Sequence, residues 1–317
     1  MQQPMNSGWG ERTTAQEIVR GLDLGGKTVL VTGGHSGIGL ESTRVLAAAG
    51  ARIIVGARDM AKARAALAGI RGVEVLGLDL ADPASITRFS TQVLNLCDRI
   101  DILMNNAGIM ALPKLVRDSR RYELQFATNH LGHFHLTALL WDALKRANGA
   151  RVVTLSSYGH RYSPVDFDDP NFDARPYDKW KAYGQSKTAN SLFSVELDRL
   201  GQPFGVRAFA VHPGRIPSTA LKRSLTFKEL LAMPLLWFNK VYVKNIQEGA
   251  ATQVWAALSG QLDGKGGVYC ADCDISPVVT SDSPMPNSVR DYAVDPALAT
   301  RLWQLSEKLT DVAWPRS

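Results

Sequence analysis

The chain predicts an α/β protein: a single doubly wound parallel sheet of about seven strands with helices on both faces. Two observations predict it. Short apolar, β-branched runs alternate with segments of helical periodicity along most of the 317 residues, and that alternation implies right-handed crossovers between parallel strands. A glycine-rich stretch, Thr32-Gly-Gly-His-Ser-Gly-Ile-Gly39, lies between the first run and the first long periodic segment, where such a sheet carries its phosphate loop, which makes the pattern Rossmann-type.

The elements follow in order. Thr14-Ala-Gln-Glu17 matches a capping box before Ile18, Val19 and Leu22, predicting a short helix within an N-terminal extension, residues 1–25. Residues 26–317 are expected to form one dinucleotide-binding catalytic domain. Its strands are expected at Thr28–Thr32, Arg52–Gly56, Val73–Gly77, Ile102–Met104, Arg151–Leu155, Val206–Val211 and Gly267–Ala271. Helices are expected at Ile38–Ala49, Met60–Ala68, Pro83–Cys97, Tyr122–Arg146 and Lys181–Leu200. Two segments interrupt the alternation: an aromatic and acidic insertion at 158–180 and an apolar, lysine-containing segment at 217–247 that reads as a substrate lid.

Composition narrows the function. With 45% hydrophobic and 21% charged residues the chain can bury a large core. The stretch Leu230–Phe238 is too short to span a bilayer and contains Pro234. The first residues show no secretory pattern, and three cysteines, Cys97, Cys270 and Cys273, fit a reducing compartment. A cytoplasmic protein is expected. Cys270-Ala-Asp-Cys273 lacks the second ligand pair of a zinc site, so no metal is expected and both cysteines read as small late-strand residues. The net charge of +6 is dispersed, without the basic block of a nucleic-acid binder.

Gly33, Gly37 and Gly39 let the backbone turn sharply and approach a pyrophosphate, with helix N–H groups beyond it. His35, Ser36 and Ile38 belong to the same loop. The second strand ends at Arg58-Asp59, roughly 20 residues past Gly39, where an arginine suits the 2′-phosphate of NADP. The alternative is that Asp59 binds a ribose and Arg58 is a solvated residue opening the next helix. Farther on, Tyr183-Gly-Gln-Ser-Lys187 places a phenol and an amine one helical turn apart. An ammonium beside a phenol is expected to lower the phenol's pKa and fit it for proton transfer.

These motifs, with Asp79-Leu80, Asn105-Asn106-Ala107-Gly108, Asn129, Ser157 and Pro213-Gly214, resemble the short-chain dehydrogenase/reductase family in order and spacing over residues 26–275. Thr128-Asn-His-Leu-Gly-His-Phe134 and the long Ser157-to-Tyr183 interval are similar to the branch of retinol dehydrogenases and the WW-domain-containing oxidoreductase, here without a WW domain. The resemblance implies Asn129, Ser157, Tyr183 and Lys187 as catalytic residues. Tyr183 exchanges the proton, Ser157 orients the carbonyl, Lys187 also holds the nicotinamide ribose, and Asn129 anchors a water near the lysine. It adds Asp79, Leu80, Asn106, Ala107, Gly108, Pro213, Gly214 and Ile216 to the cofactor contacts, with Ser218 or its neighbour Thr219 near the pyrophosphate.

The expected activity is NADP(H)-dependent hydride transfer to or from a bulky apolar carbonyl or alcohol, with a cofactor-binding regulatory protein as the alternative. The apolar side chains of 217–247 suit such a substrate, a subunit contact or, with Lys222, Arg223, Lys228, Lys240 and Lys244, a membrane surface. Tyr122–Arg146 is a candidate face for a homo-oligomer. His130, His133 and His135 read as packing or surface residues, and His160 and His212 as candidate substrate contacts.

Overall fold

The computed structural model describes residues 2–217, 242–280 and 282–314. Strands β1 (Thr28–Thr32), β2 (Arg52–Ala57), β3 (Val73–Gly77), β4 (Ile102–Asn105), β5 (Arg151–Leu155), β6 (Arg207–His212) and β7 (Val268–Ala271) run parallel, and the short β8 (Asp274–Ile275) is antiparallel to β7. The sheet order is β3-β2-β1-β4-β5-β6-β7-β8. Among the described residues the sheet thus has the seven expected parallel strands and one short antiparallel strand besides. Asp272 and Cys273, both at positive φ (51° and 59°), turn the chain between β7 and β8, the geometry of a two-residue hairpin. Cys273 therefore lies in a turn rather than late in a strand. β9 (Val278–Val279) and β10 (Val289–Arg290) form a separate parallel pair; two-residue strands carry no periodicity to read.

Every residue of β1 is buried, so the sheet's faces are distinguished by alternation. Val29, Val31, Ile53, Val55, Met104 and Val153 join one core layer. Leu30, Ile54, Leu103 and Val152 join the other. The first layer is covered by α1 (Ala15–Val19), α2 (Gly37–Ala48) and a helix at Ile246–Leu258, the second by α4 (Pro83–Leu96) and the helices after β4. α3 (Met60–Leu67) links β2 to β3. The Thr14–Glu17 capping box is present.

The expected single helix Tyr122–Arg146 is broken. It consists of α5 (Leu124–Phe126), a π-turn at Ala127–Leu131, α6 (Gly132–Leu139) and α7 (Trp141–Arg146). Glycine at 132 lets this element press against the Leu80 carbonyl, where a Cβ would collide. α8 (Lys179–Gly201) starts at Asp178, whose side chain accepts from Trp180 and Lys181 N–H. α9 (Ile246–Leu258) has an Asn245/Glu248 capping box, and α10 (Pro296–Thr310) is capped by Asp295. Trp303 of α10 stacks on Phe193 at 5.7 Å, and Trp314 sits 5.2 Å from Trp141 and 5.5 Å from Phe134. The segment offered for subunit pairing is thus covered at Phe134 and Trp141 by the chain's own C-terminal region. At the far sheet edge, the Gln2 side-chain amide bonds both Tyr269 N and Tyr269 O at 2.8 Å, imitating a neighbouring backbone.

Candidate active site

The glycine loop leaves β1 and enters α2. Gly33 and Gly37 take positive φ (66° and 53°), which favours glycine. A Cβ on Gly39 would stand 2.5 Å from Asn106 Nδ2 and 2.6 Å from Gly33 O. Ser36 is the N-cap of α2 but makes no side-chain cap bond, so the first N–H groups remain open toward an anion. Thr32 fastens the loop to the Asn105–Gly108 turn: its Oγ1 accepts from Asn106 and Ala107 N–H at 2.9 Å, and Asn106 Nδ2 donates to Thr32 O at 2.8 Å.

Thr32 also reaches His133. His133 Nδ1 lies 2.9 Å from Asn129 O, so Nδ1 carries the proton and Nε2 accepts from Thr32 O–H at 2.9 Å. Burial pushes this imidazole down to about 4 and keeps it neutral. The phosphate-loop strand and the turn bearing Asn129 are thereby joined through one side chain. Its signal in the sequence was only the four-residue step from Asn129 on a helix.

Asn129 is fully buried in the π-turn. Its Oδ1 accepts from Ile109 N at 2.8 Å, and its Nδ2 donates to Ile109 O and Ser186 Oγ at 2.9 Å. The amide thereby holds the loop after β4 to α8. Gly108 lies against both: a Cβ there would be 3.1 Å from Asn129 Oδ1 and 3.5 Å from Lys187 Nζ.

Tyr183 and Lys187 occupy one face of α8, with Lys187 Nζ 5.7 Å from the phenol ring centre. Nζ donates to Leu155 O at 2.9 Å. The expected electrostatic relation is reversed. Burial pushes the Tyr183 phenol up to about 12, opposed by a hydrogen bond with Ser157 and reinforced slightly by Tyr162. Burial also brings Lys187 down to about 7. Both groups are nearly sealed, at 5% exposure, so desolvation outweighs the attraction between ammonium and phenolate.

Ser157 ends the strand side of the site and caps a 3₁₀ turn, Tyr158–Tyr162, accepting from Gly159 N at 3.1 Å. Ser156 instead points inward, donating to Lys187 O at 2.8 Å. His160 does not face a substrate. It is fully buried, its Nδ1 lies 2.8 Å from Ser157 O, and its Nε2 accepts from Arg290 N at 3.1 Å. His212 Nδ1 accepts from Tyr158 N (3.2 Å) and Gly214 N (3.4 Å), so its ring bridges the Ser157 turn and the Pro213–Gly214 turn. Burial holds His160 near 4 and His212 near 3.

Arg58, Asp79 and Leu78 line a cavity of about 310 Å³ with Met60, Ser85 and Arg88. Asp59 caps α3, its Oδ1 accepting from Lys62 N at 3.0 Å. Asp79 Oδ1 accepts from Ala81 N at 3.0 Å, and Leu80 is buried in the core. Ile216 and Ile38 meet over Gly249, where a Cβ would strike the Ile216 side chain. His35 is partly buried, and its Nδ1 finds no partner among the described residues. At Gly214 (φ 88°) the missing Cβ leaves room for the Lys244 stem, and Lys244 Nζ lies 2.6 Å from Asp272 Oδ1. With its side chain 2% exposed, Lys244 cannot serve a membrane surface. Ser218, Thr219 and the other cations of that reading lie outside the described residues, as does most of segment 217–247.

Sheet, glycine turn and buried Tyr–Lys pair together are those of a dinucleotide-binding α/β protein. The chain belongs to the short-chain dehydrogenase family, whose model, described as short chain dehydrogenase, matches residues 27–229. It is 41% identical over 293 residues to a protein of Streptomyces lividans named "Probable oxidoreductase", covering 89% of this chain and 97% of that one. It is 38% identical over 301 residues to retinol dehydrogenase 13 of Homo sapiens, covering 92% and 86%. A solved structure of an uncharacterized protein from Mycobacterium paratuberculosis superposes with a TM-score of 0.73 at 34% identity, covering 94% and 98%. The Pseudomonas aeruginosa RhlG/NADP active-site complex superposes with a TM-score of 0.63 at 25% identity, covering 78% and 95%. No described helix is long and apolar enough to cross a membrane.

Proposed function

We propose that this oxidoreductase is an NADP(H)-dependent reductase of bulky apolar carbonyl compounds, with Tyr183 as the proton donor. The observation that carries the reading is the burial of Tyr183 and Lys187 together on one face of α8, with Nζ 5.7 Å from the phenol ring centre and the Ser157 turn packed against the ring at Gly159. A phenol held up at about 12 stays protonated at neutral pH, which suits donation to a carbonyl oxygen and hence reduction. Ser157, fixed at the head of its turn, orients that oxygen. Lys187 stands close enough to compensate negative charge as the phenol gives up its proton.

The residues fit the cofactor. The open N–H groups behind Ser36 and the space kept by Gly39 suit a pyrophosphate. Arg58 on the cavity wall suits a 2′-phosphate, while the Asp59 carboxylate is engaged in capping. That the RhlG neighbour is an NADP complex is consistent with this choice. When bound, the nicotinamide supplies the hydride.

The test is NADPH oxidation, with NADH in parallel, across bulky aldehydes and ketones, with Tyr183→Phe as the blank. The reading expects turnover by the unaltered protein, abolished in Tyr183→Phe while NADPH binding persists. Turnover retained by Tyr183→Phe would refute the assigned proton donor.

A further inference from the structure

We infer that Tyr158, Tyr162 and Trp180 form an aromatic shelf beside Ser157 and Tyr183 that selects flat, aromatic or conjugated substrates over saturated ones of equal size. The inference rests on the reading of this site as a carbonyl reductase, and it names the substrate class.

Tyr158 follows Ser157 directly, and Tyr162 ends the same 3₁₀ turn. Trp180 lies on α8 three residues before Tyr183, on the same helical face. The rings make a continuous row. Tyr158 and Tyr162 are 6.2 Å apart at 76°, and Tyr162 and Trp180 are 5.8 Å apart at 68°, both within the edge-to-face range. The row continues at its strand end to the His212 ring, 6.5 Å from Tyr158.

Two glycines press this row onto the reactive phenol. At Gly159 a Cβ would stand 2.5 Å from Tyr183 Cε1, and at Gly184 one would stand 2.9 Å from Tyr162 Cβ. The near end of the row is also braced. Arg161 lies 4.9 Å from the Tyr158 ring centre and is itself tied to Met285 O and Ser288 Oγ.

Tyr158 is 38% and Tyr162 48% exposed, and Trp180 is half-buried behind Tyr162; single exposed aromatics are ordinary. Three in contact along the edge of a proton-donor site are a surface waiting for apolar, planar material. An aromatic ligand gains ring–ring attraction there beyond the area it buries, whereas a saturated ring of the same outline gains only the burial. The two contacts together are worth a preference of about tenfold.

The test compares 2-naphthaldehyde with decahydronaphthalene-2-carbaldehyde as substrates, and the corresponding alcohols as ligands in calorimetry, using the whole protein and the double variant Tyr162→Leu/Trp180→Leu. Because the two aldehydes differ in intrinsic reactivity, the readout is the change in their kcat/KM ratio between the two proteins. The ratio is expected to fall about tenfold in the double variant, with Tm unchanged and partial recovery in Tyr162→Phe/Trp180→Phe. Calorimetry is expected to show the naphthyl alcohol binding about tenfold more tightly than its saturated counterpart, and the double variant losing that difference. An unchanged ratio, or equal affinities in the unaltered protein, would overturn the shelf. Preferential naphthyl binding without any turnover would instead sink the reductase reading and leave the shelf standing.

Discussion

Gly159 is the position at which the geometry of proton donation can be disturbed by one methyl group. Its backbone is not in the left-handed region, so alanine there costs no torsional strain and the effect is steric alone. The added Cβ would stand 2.5 Å from Cε1 and 2.8 Å from Cδ1 of Tyr183. Ordinary contact begins near 3.4 Å, so ring or turn must give by about 0.9 Å, and a displacement of that size at a reacting group costs about 10²-fold. Because Tyr183 is 5% exposed, the accommodation also strains the packing by about 1–3 kcal/mol. The expected outcome for Gly159→Ala is a kcat about a hundredfold lower with NADPH affinity close to the original, since the glycine loop lies elsewhere. Steady-state kinetics with fluorescence titration of NADPH and urea denaturation separate these quantities. Gly10→Ala, where no atom lies within 4 Å of the new Cβ, is the neutral control. A folded Gly159→Ala protein with undiminished kcat would show that the Tyr183 ring position does not limit the reaction.

Three further outcomes are expected. Replacing Arg58 with Asp is expected to weaken NADPH by about 10- to 100-fold and NADH much less, because only the former presents a phosphate to a guanidinium; equal losses in calorimetry would move the 2′-phosphate elsewhere. Lys187 has a folded pKa near 7 against an ordinary value of 10.5, so between these values the unfolded chain binds the extra proton and stability rises with pH. Relative to Lys187→Met, the unaltered protein is expected to gain up to about 1.4 kcal/mol per pH unit from pH 7.5 to 9.5; a flat difference in urea unfolding would contradict the buried, largely neutral amine. His133→Leu removes the link between Thr32 and Asn129, leaving the Thr32 hydroxyl only the longer bond to Met104 O at 3.4 Å, an expected loss of about 1–3 kcal/mol together with weaker NADPH binding; chemical denaturation and calorimetry check each part.

What could be read from the sequence was whatever repeats a local rule. The seven parallel strands were legible because buried strands are apolar runs, and the glycine loop because its turn needs residues without a Cβ at fixed steps. The Tyr183–Lys187 pairing was legible for the same reason, being a matter of helical spacing. Lost from view were features decided by contacts between distant segments. The π-turn that interrupts Tyr122–Arg146 has no periodic signature, and the two-residue strands near the C-terminus are too short to leave one. His160 next to Ser157 in sequence suggested a substrate contact, yet Arg290, 130 residues away, turns its ring inward. Lys244, one of five cations that could suit a membrane surface, is instead buried against Asp272 of the β7–β8 hairpin.

The reversal at Tyr183 and Lys187 follows from the same distinction. Spacing tells which groups are neighbours; it does not tell how much water remains between them. In an exposed helix the ammonium would win and the phenol would acidify. Enclosed by Gly108, Gly159, the π-turn and the end of β5, both groups shift toward their neutral forms. On the proposed assignment, Tyr183 holds its proton until an oxyanion develops, and Lys187, about half protonated near pH 7, can answer the charge that the phenol then leaves. The same enclosure that raises the Tyr183 pKa would, on that assignment, keep competing water away from the transfer, and it depends on how tightly the turn at Gly159 packs against α8.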